Sequence, residues 1–340
     1  MTTLTEQAAE LFIADLAFGP APPGFVGAAV DLPFAGPAER LPLRHGFLAP
    51  AGPRLVSVSG PPSPGLAVCL GRMSDDLEAA RPRLTTGPAG STRIGPEATG
   101  PTGDDSPAGG IRVGLEAGLD GGGVLGINRR WALANTLAPV LAAAFASTPV
   151  AVRRAAWRDR PVVPPGANAR ASWTAYAMNA HSFRERFRSG ERPTLDDLIR
   201  HLNSLRPPVA ARGHLEWTVA DPQPGDGWRL PVTLAATLLD DPQAAQEAEA
   251  ATAHLHGEPA LWERAARHAL ADPVLAAAAR DCFLAAYAAL ARQGADRDLR
   301  DAVAAFTERY VLHGRCPADD AGQMSLGTPL RQAHKKIETL

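Results

Sequence analysis

Three groups of residues in this 340-residue chain could do chemistry. Gly121, Gly123 and Gly126 have the G-x-G-x-x-G spacing that lets a backbone approach a pyrophosphate. His254 and His256 form an H-x-H pair that could contribute metal ligands. Arg153, Arg154, Arg158 and Arg160 make one basic cluster, and Arg184, Arg186, Arg188 and Arg192 a second. A guanidinium is a planar fork suited to phosphate, sulfate or carboxylate. Each group has a plainer reading. A dinucleotide site also wants an acidic residue roughly 20 positions beyond the glycines, but between Glu116 and Asp159 the only acid is Asp120, which precedes them. The glycines therefore read as a turn. No carboxylate pair or cysteine accompanies the two histidines, which read as a solvated helix end. The arginines read as solvated faces, with an anion held by Arg153, Arg154 and Arg158 as the alternative. No Ser-His-Asp set, nucleophile elbow or P-loop is present.

Bulk properties narrow the classes further. A net charge of -2 and a pI near 6.5 argue against a nucleic-acid partner. Cys69, Cys282 and Cys316 are odd in number, widely spaced and without C-x-x-C, which speaks against a disulfide framework or a zinc site. The first 18 residues carry Glu6, Glu10 and Asp15 and no basic stretch, so they do not read as a signal peptide. The apolar run 137–146 is too short to span a bilayer. The expectation is a cytoplasmic protein with no membrane partner.

The elements that must position any site follow from periodicity and punctuation. Helical spacing covers 5–18, 66–81, 128–146, 169–178 and 194–205, the last opening on Thr194 as N-cap. Segments 25–32, 54–59, 111–119 and 214–220 read as strands. Residues 87–110 read as a long polar loop and 153–165 as basic and irregular. Beyond residue 230 the chain is Ala-rich and helical, with Asp272-Pro273 opening one helix and 298–313 forming another. Uneven spacing between strands argues for α+β rather than a doubly wound parallel sheet. The expected organisation is one domain over 1–320 with a flexible loop at about 85–110, followed by a loose tail at 321–340.

The most distinctive stretch is TLDDLIRHLNSLRPPVAARGHLEWTVADPQPGDGW, residues 194–228. It resembles glutamate–cysteine ligase family 2, specifically the actinobacterial ligases of ergothioneine biosynthesis. RWALANTLAPVLAAAFASTP, ADPVLAAAARDCF and TERYVLHGRCPADD resemble the same family's helices, and PPGFVGAAVDL its first strand. The resemblance spans roughly residues 5–320 and is strongest in the C-terminal half. It implies an antiparallel sheet like that of glutamine synthetase and the glutamate–cysteine ligases, flanked by helices, with a helical C-terminal part. It also implies chemistry in which glutamate is phosphorylated by Mg-ATP and the cysteine amine displaces phosphate. Strand carboxylates would hold the metal ions, whose charge neutralises the transferring phosphoryl group.

This chain departs from the family at those positions. The two glutamates of the first strand fall on Ala29 and Asp31. No acid lies between Glu39 and Asp75, and a glutamate of the second strand falls on Ser57. In the third strand Q-V-N-L-D becomes Arg112-Val113-Gly114-Leu115-Glu116, and the arginine of the fourth becomes Thr218. Glu216, Asp221 and Gln223 remain. The remnant pocket is thus expected to comprise Asp31, Ser57, Arg112, Glu116, Glu216, Thr218, Asp221 and Gln223, with no bound metal and no cofactor. Losing three or more metal ligands removes the electrostatic stabilisation that is usually the largest catalytic term. The expected role is a partner or binding subunit of a heteromeric enzyme in specialised metabolism. The alternatives are an ATP-dependent γ-glutamyl amide ligase using Mg²⁺ on Asp31, Glu116 and Glu216, and a repurposed enzyme holding a small anionic substrate on its arginines.

Overall fold

From Phe25 to Pro33 the chain alternates: Val26, Ala28 and Val30 are buried, while Gly27, Ala29 and Asp31 are half-buried. Period two puts the first set on one face of a strand and the second on the other. The same alternation recurs at Ile111, Val113 and Leu115 against Arg112 and Gly114, and at Leu215 and Trp217 against Glu216 and Thr218. Each strand therefore carries one core face and one polar face.

The computed structural model describes residues 3–34, 36, 38–52, 54–85, 110–158, 163, 166, 168–258 and 260–320. Among them eight antiparallel strands build one sheet: β1 (Phe25–Pro33), β2 (Leu41–Pro42), β3 (Phe47–Gly52), β4 (Leu55–Ser59), β5 (Ser63–Pro64), β6 (Ile111–Leu115), β7 (Val209–Ala211) and β8 (Leu215–Ala220). The order is β2-β3-β4-β1-β6-β8-β7, with β5 also paired to β1. Twelve α-helices accompany it: α1 (Glu6–Ala17), α2 (Leu66–Thr85), α3 (Ile127–Ala144), α4 (Val150–Arg158), α5 (Ala169–Asn179), α6 (Phe183–Arg188), α7 (Leu195–Ser204), α8 (Arg229–Asp240), α9 (Pro242–Thr252), α10 (Leu261–His268), α11 (Pro273–Arg292) and α12 (Arg297–Arg309). This is the expected α+β arrangement, an antiparallel sheet flanked by helices with a helical C-terminal part. Helices α2, α3 and α8 pack on the sheet, and α9, α11 and α12 extend the core beyond it.

The core is continuous from sheet to C-terminal helices. Phe18, Trp131 and Trp173 meet edge to face with ring centroids 5.3 and 6.2 Å apart. Phe145, Phe283 and Phe306 form a second aromatic group, with Phe283 stacked on Phe306. Helix α11 is long and apolar enough to cross a membrane by length and composition. Its Leu275, Cys282, Phe283 and Leu290 are buried in the core, against neighbours that include α3, α8 and α9.

Local signals set most helix ends. Thr194 and Asp197 form a reciprocal capping box at α7. Asp241-Pro242 and Asp272-Pro273 start α9 and α11, each with the aspartate as N-cap. The G-x-G-x-x-G segment is a turn, as expected: Gly121 and Gly123 have φ of 113° and 96°, and Gly126 caps α3.

Three expectations are corrected. The stretch expected to be irregular from 153 contains α4, which runs from Val150 to Arg158. Its packing face is disguised because Arg153 is buried and Trp157 packs against Trp262 with ring centroids 4.7 Å apart. The strand expected over 111–119 ends at Leu115, since Gly118 turns the chain with φ of 109°. Helix α12 begins at Arg297 with Asp296 as its cap, not at Asp298. Residues 87–109 of the expected loop and the tail 321–340 lie outside the described residues.

Candidate functional site

Register brings the polar residues of four strands onto one face. Ala29 of β1 is opposite Ser59 on β4 and Arg112 on β6, and Arg112 is opposite Thr218 on β8. In the next row Asp31 is opposite Ser57. On the other side Gly27, Gly114, Glu216 and Ala210 line up across β1, β6, β8 and β7. The floor around Arg112 is therefore made of Gly27, Ala29 and Gly114, which carry almost no side chain. A Cβ on Gly114 would lie 3.2 Å from the His214 ring, so even alanine is tight there.

Arg112 occupies the middle of this face. Its Nη2 donates to Ser57 Oγ at 2.6 Å and lies 3.2 Å from Asp31 Oδ1. The second contact has ion-pair distance without hydrogen-bond direction, and Asp31 Oδ1 is a buried oxygen with no hydrogen-bond partner. Asp31 is otherwise held by backbone: its N–H donates to Gly110 O, and Gly110 N–H donates to Oδ2 at 3.4 Å. Three expected pocket residues, Asp31, Ser57 and Arg112, thus touch. Thr218 stands beside them as the cross-strand partner of Arg112. Thr218, where the resemblance would place an arginine, and Arg112 are therefore neighbours across two strands.

A second group lies along the same face. Arg212 donates from Nε to Glu216 Oε1 at 2.7 Å, and its Nη1 and Nη2 donate to Leu202 O and Leu205 O at the end of α7. Arg206 donates to Asn203 O and Leu205 O. Burial, then the charges of Arg212 and Arg112, pull the Arg206 guanidinium below its ordinary pKa, with Glu216 opposing. Burial also pushes the Tyr176 phenol up to about 12 against the pull of Arg212, and Tyr176 OH has no hydrogen-bond partner. The His214 imidazole is pulled down by burial, and Glu216 opposes that shift. Arg206 and Tyr176 were missed in the sequence because neither belongs to a motif; only the fold brings α5 and the α7–β7 connection near this face.

The remaining expected residues do other work. Glu116 is beyond the end of β6, where its Oε2 accepts from Phe25 N–H at 3.4 Å. Asp221 Oδ2 accepts from Ser147 N–H, Thr148 N–H and Thr148 Oγ1, and Gln223 Nε2 donates to Phe145 O and Asp221 O. Both clamp the connection between α3 and α4. Arg153 is buried, donating to Thr148 O and to Ala266 O, so it staples α4 to α10 and is not a free fork for an anion. Arg154 is exposed, and the Arg158 side chain and Arg160 lie outside the described residues.

These residues do not fit a divalent-metal site of the kind the resemblance implies. Asp31 is opposite Gly110, and Glu116 is six residues farther along that strand direction, about 20 Å at roughly 3.4 Å per residue. Glu216 is opposite Gly114, about 14 Å from the level of Asp31 by the same rise, and is tied to Arg212. Metal–oxygen bonds of about 2.0–2.6 Å need ligands that converge. Among the described residues no group of three or more His, Cys, Asp and Glu side chains does so. The charge at the centre of the face is instead a guanidinium.

Comparison with known proteins agrees with this architecture. The family model described as glutamate-cysteine ligase family 2 matches residues 111–338. Glutamate–cysteine ligase EgtA from two strains of Mycobacterium tuberculosis is 28% identical over 331 residues, covering 78% of this chain and 74% of that protein. The protein of the same name from Mycolicibacterium smegmatis is 40% identical over 131 residues, covering 38% of this chain and 29% of its own length.

Proposed function

Because the chain belongs to glutamate–cysteine ligase family 2, we propose that it keeps the ligase scaffold without the ligase's Mg-ATP site and works as a binding or partner subunit of a heteromeric enzyme in specialised metabolism. The observation that carries this reading is Arg112. A fixed cation in the middle of the sheet face, anchored to Ser57 and paired with Asp31, stands among the positions where the resemblance puts metal-binding carboxylates. A divalent ion beside it would be repelled: two unit charges of like sign 4 Å apart cost about 4 kcal/mol at an effective dielectric of 20, and a divalent ion doubles that. Meanwhile the scaffold's own fastenings remain, including the Thr194 capping box, the Asp221 clamp and the aromatic core. Retained packing beside a remodelled site fits a changed role on an old fold.

The test is ADP release by the purified protein with Mg-ATP, glutamate and cysteine, together with co-purification of the products of neighbouring genes. The expected result is no ADP above the protein-free rate and a stoichiometric partner. Turnover that requires Mg²⁺ and an amino acid would overturn the reading in favour of a ligase with an altered metal site. The free part of the Arg112 guanidinium favours a second reading, a small anion bound on this face, and the two are compatible.

A further inference from the structure

We infer that Arg112 is the cation of this site, and that the polar sheet face binds an oxyanion, a phosphate or carboxylate group, directly on its guanidinium with no divalent ion between them. The inference rests on the reading that the Mg-ATP site is gone.

Geometry supplies the first argument. Among the described residues only Nη2 of Arg112 is engaged, by Ser57 Oγ at 2.6 Å and by the charge of Asp31 at 3.2 Å. Among the described residues Nε and Nη1 have no hydrogen-bond partner, and the side chain is 30% exposed. Anchoring one nitrogen fixes the plane of the fork, so the remaining N–H groups are aimed before a ligand arrives. Charge-assisted bonds from a pre-oriented guanidinium are the strong class of hydrogen bond.

Shape supplies the second. Gly27 and Ala29, both half-buried, leave the floor on the β1 side of the guanidinium without bulk, while the His214 ring covers Gly114 and bounds the space on the other side. A small ligand can therefore approach the backbone beside Arg112.

Charge supplies the third. Arg112, Arg206 and Arg212 lie close enough for the first and third to depress the pKa of the second. Against them stand Asp31 and Glu216, and Glu216 is committed to Arg212 at 2.7 Å. Mutually repelling, partly buried guanidiniums on one face are a positive surplus, and a bound anion relieves it.

The test uses the full chain and calorimetric titration with two probes, pyrophosphate and glutarate, each in EDTA and each in excess Mg²⁺. Binding of pyrophosphate alone identifies a phosphate ligand, and of glutarate alone a carboxylate ligand. The expected result is that at least one probe binds in EDTA and no tighter in Mg²⁺. Arg112→Gln should weaken it roughly tenfold or more, the scale of a lost charge-assisted bond. Arg112→Lys should fall between, and Arg154→Gln should bind as the parent does. If Arg112→Gln fails to fold, the lysine variant and the EDTA comparison carry the test. No binding of either probe in EDTA, or unchanged binding by a folded Arg112→Gln, overturns the inference and leaves the loss of ligase activity standing. Binding that appears only with Mg²⁺ overturns both.

Discussion

Replacing Arg130 with methionine should cost this protein about 3 kcal/mol, the low end of the range for breaking a buried ion pair by removing one partner, because the Asp240 side chain is 22% exposed. The side chain is 1% exposed. Its Nη1 donates to Leu239 O at 2.6 Å, and its Nη2 to Glu116 O at 2.8 Å and Asp240 Oδ1 at 2.7 Å. It thus ties the start of α3 to the end of β6 and the end of α8. Methionine fills much of the volume, so the loss is electrostatic rather than a cavity. It strands the Asp240 carboxylate, whose pKa burial already pushes up while Arg130 pulls it down. Without Arg130 that pKa rises further. A carboxylate whose folded pKa exceeds its unfolded value makes the folded state bind more protons, so stability falls as pH rises through the window between the two values. The variant should therefore be hurt most at pH 8 and recover part of the loss toward pH 5. Urea denaturation of both proteins at the two pH values measures this. A loss below about 1 kcal/mol at pH 8, or a loss that does not shrink at pH 5, would refute the account, since a penalty of several kcal/mol requires an uncompensated buried charge.

Other outcomes follow from the same contacts. Asp76 is fully buried and accepts from His45 N–H and Gly46 N–H at 2.8 Å each, fastening the β2–β3 turn to α2; Asp76→Ala should cost about 1–3 kcal/mol per orphaned amide in chemical denaturation, and Asp76→Asn less. Thr194→Ala should cost about 1 kcal/mol by removing the cap of α7. The backbone and side chain of Thr194 hold the Asp197 carboxyl down to about 2, from 3.8. A depressed carboxyl stabilises the fold above its unfolded pKa and loses that contribution as pH falls from about 4 to about 2, so acid unfolding followed by circular dichroism should shift in Asp197→Asn. Burial pushes the thiols of Cys69 and Cys282 up to about 12 and that of Cys316 to about 11; none should react with iodoacetamide at pH 8 in the native protein, and all three should react in guanidinium.

Much of the scaffold was legible because its signals are local. Thr194 with Asp197, and Asp272 with Pro273, mark helix starts through hydrogen bonds two or three residues long. Alternation around Val26, Val113 and Trp217 marks strands because period two is a property of the extended backbone itself. The absence of acids between Glu39 and Asp75 needed no structure to be seen. Arg153 was misread because a buried arginine counts as polar in any pattern, and only its two carbonyl acceptors reveal it as a staple. Asp221 and Gln223 belong to a segment resembling the family, yet their bonds run to the α3–α4 connection more than 70 residues away.

The sequence by itself pointed to the family, which the family model bears out, and to strands β1, β4, β6 and β8 and many of the helices, because these depend on residue type and on neighbours a few positions apart. The tertiary structure alone decided what the replacements do together. Arg112 and Ser57 are 55 residues apart in the chain, and whether they meet depends on the register of β4, β1 and β6. A slip of one residue would send every side chain on a strand to the other face. Register is set by the turns and by the apolar face packed on α2, α3 and α8. The guanidinium at the centre of this face is therefore a consequence of the whole sheet, not of the strand that carries it.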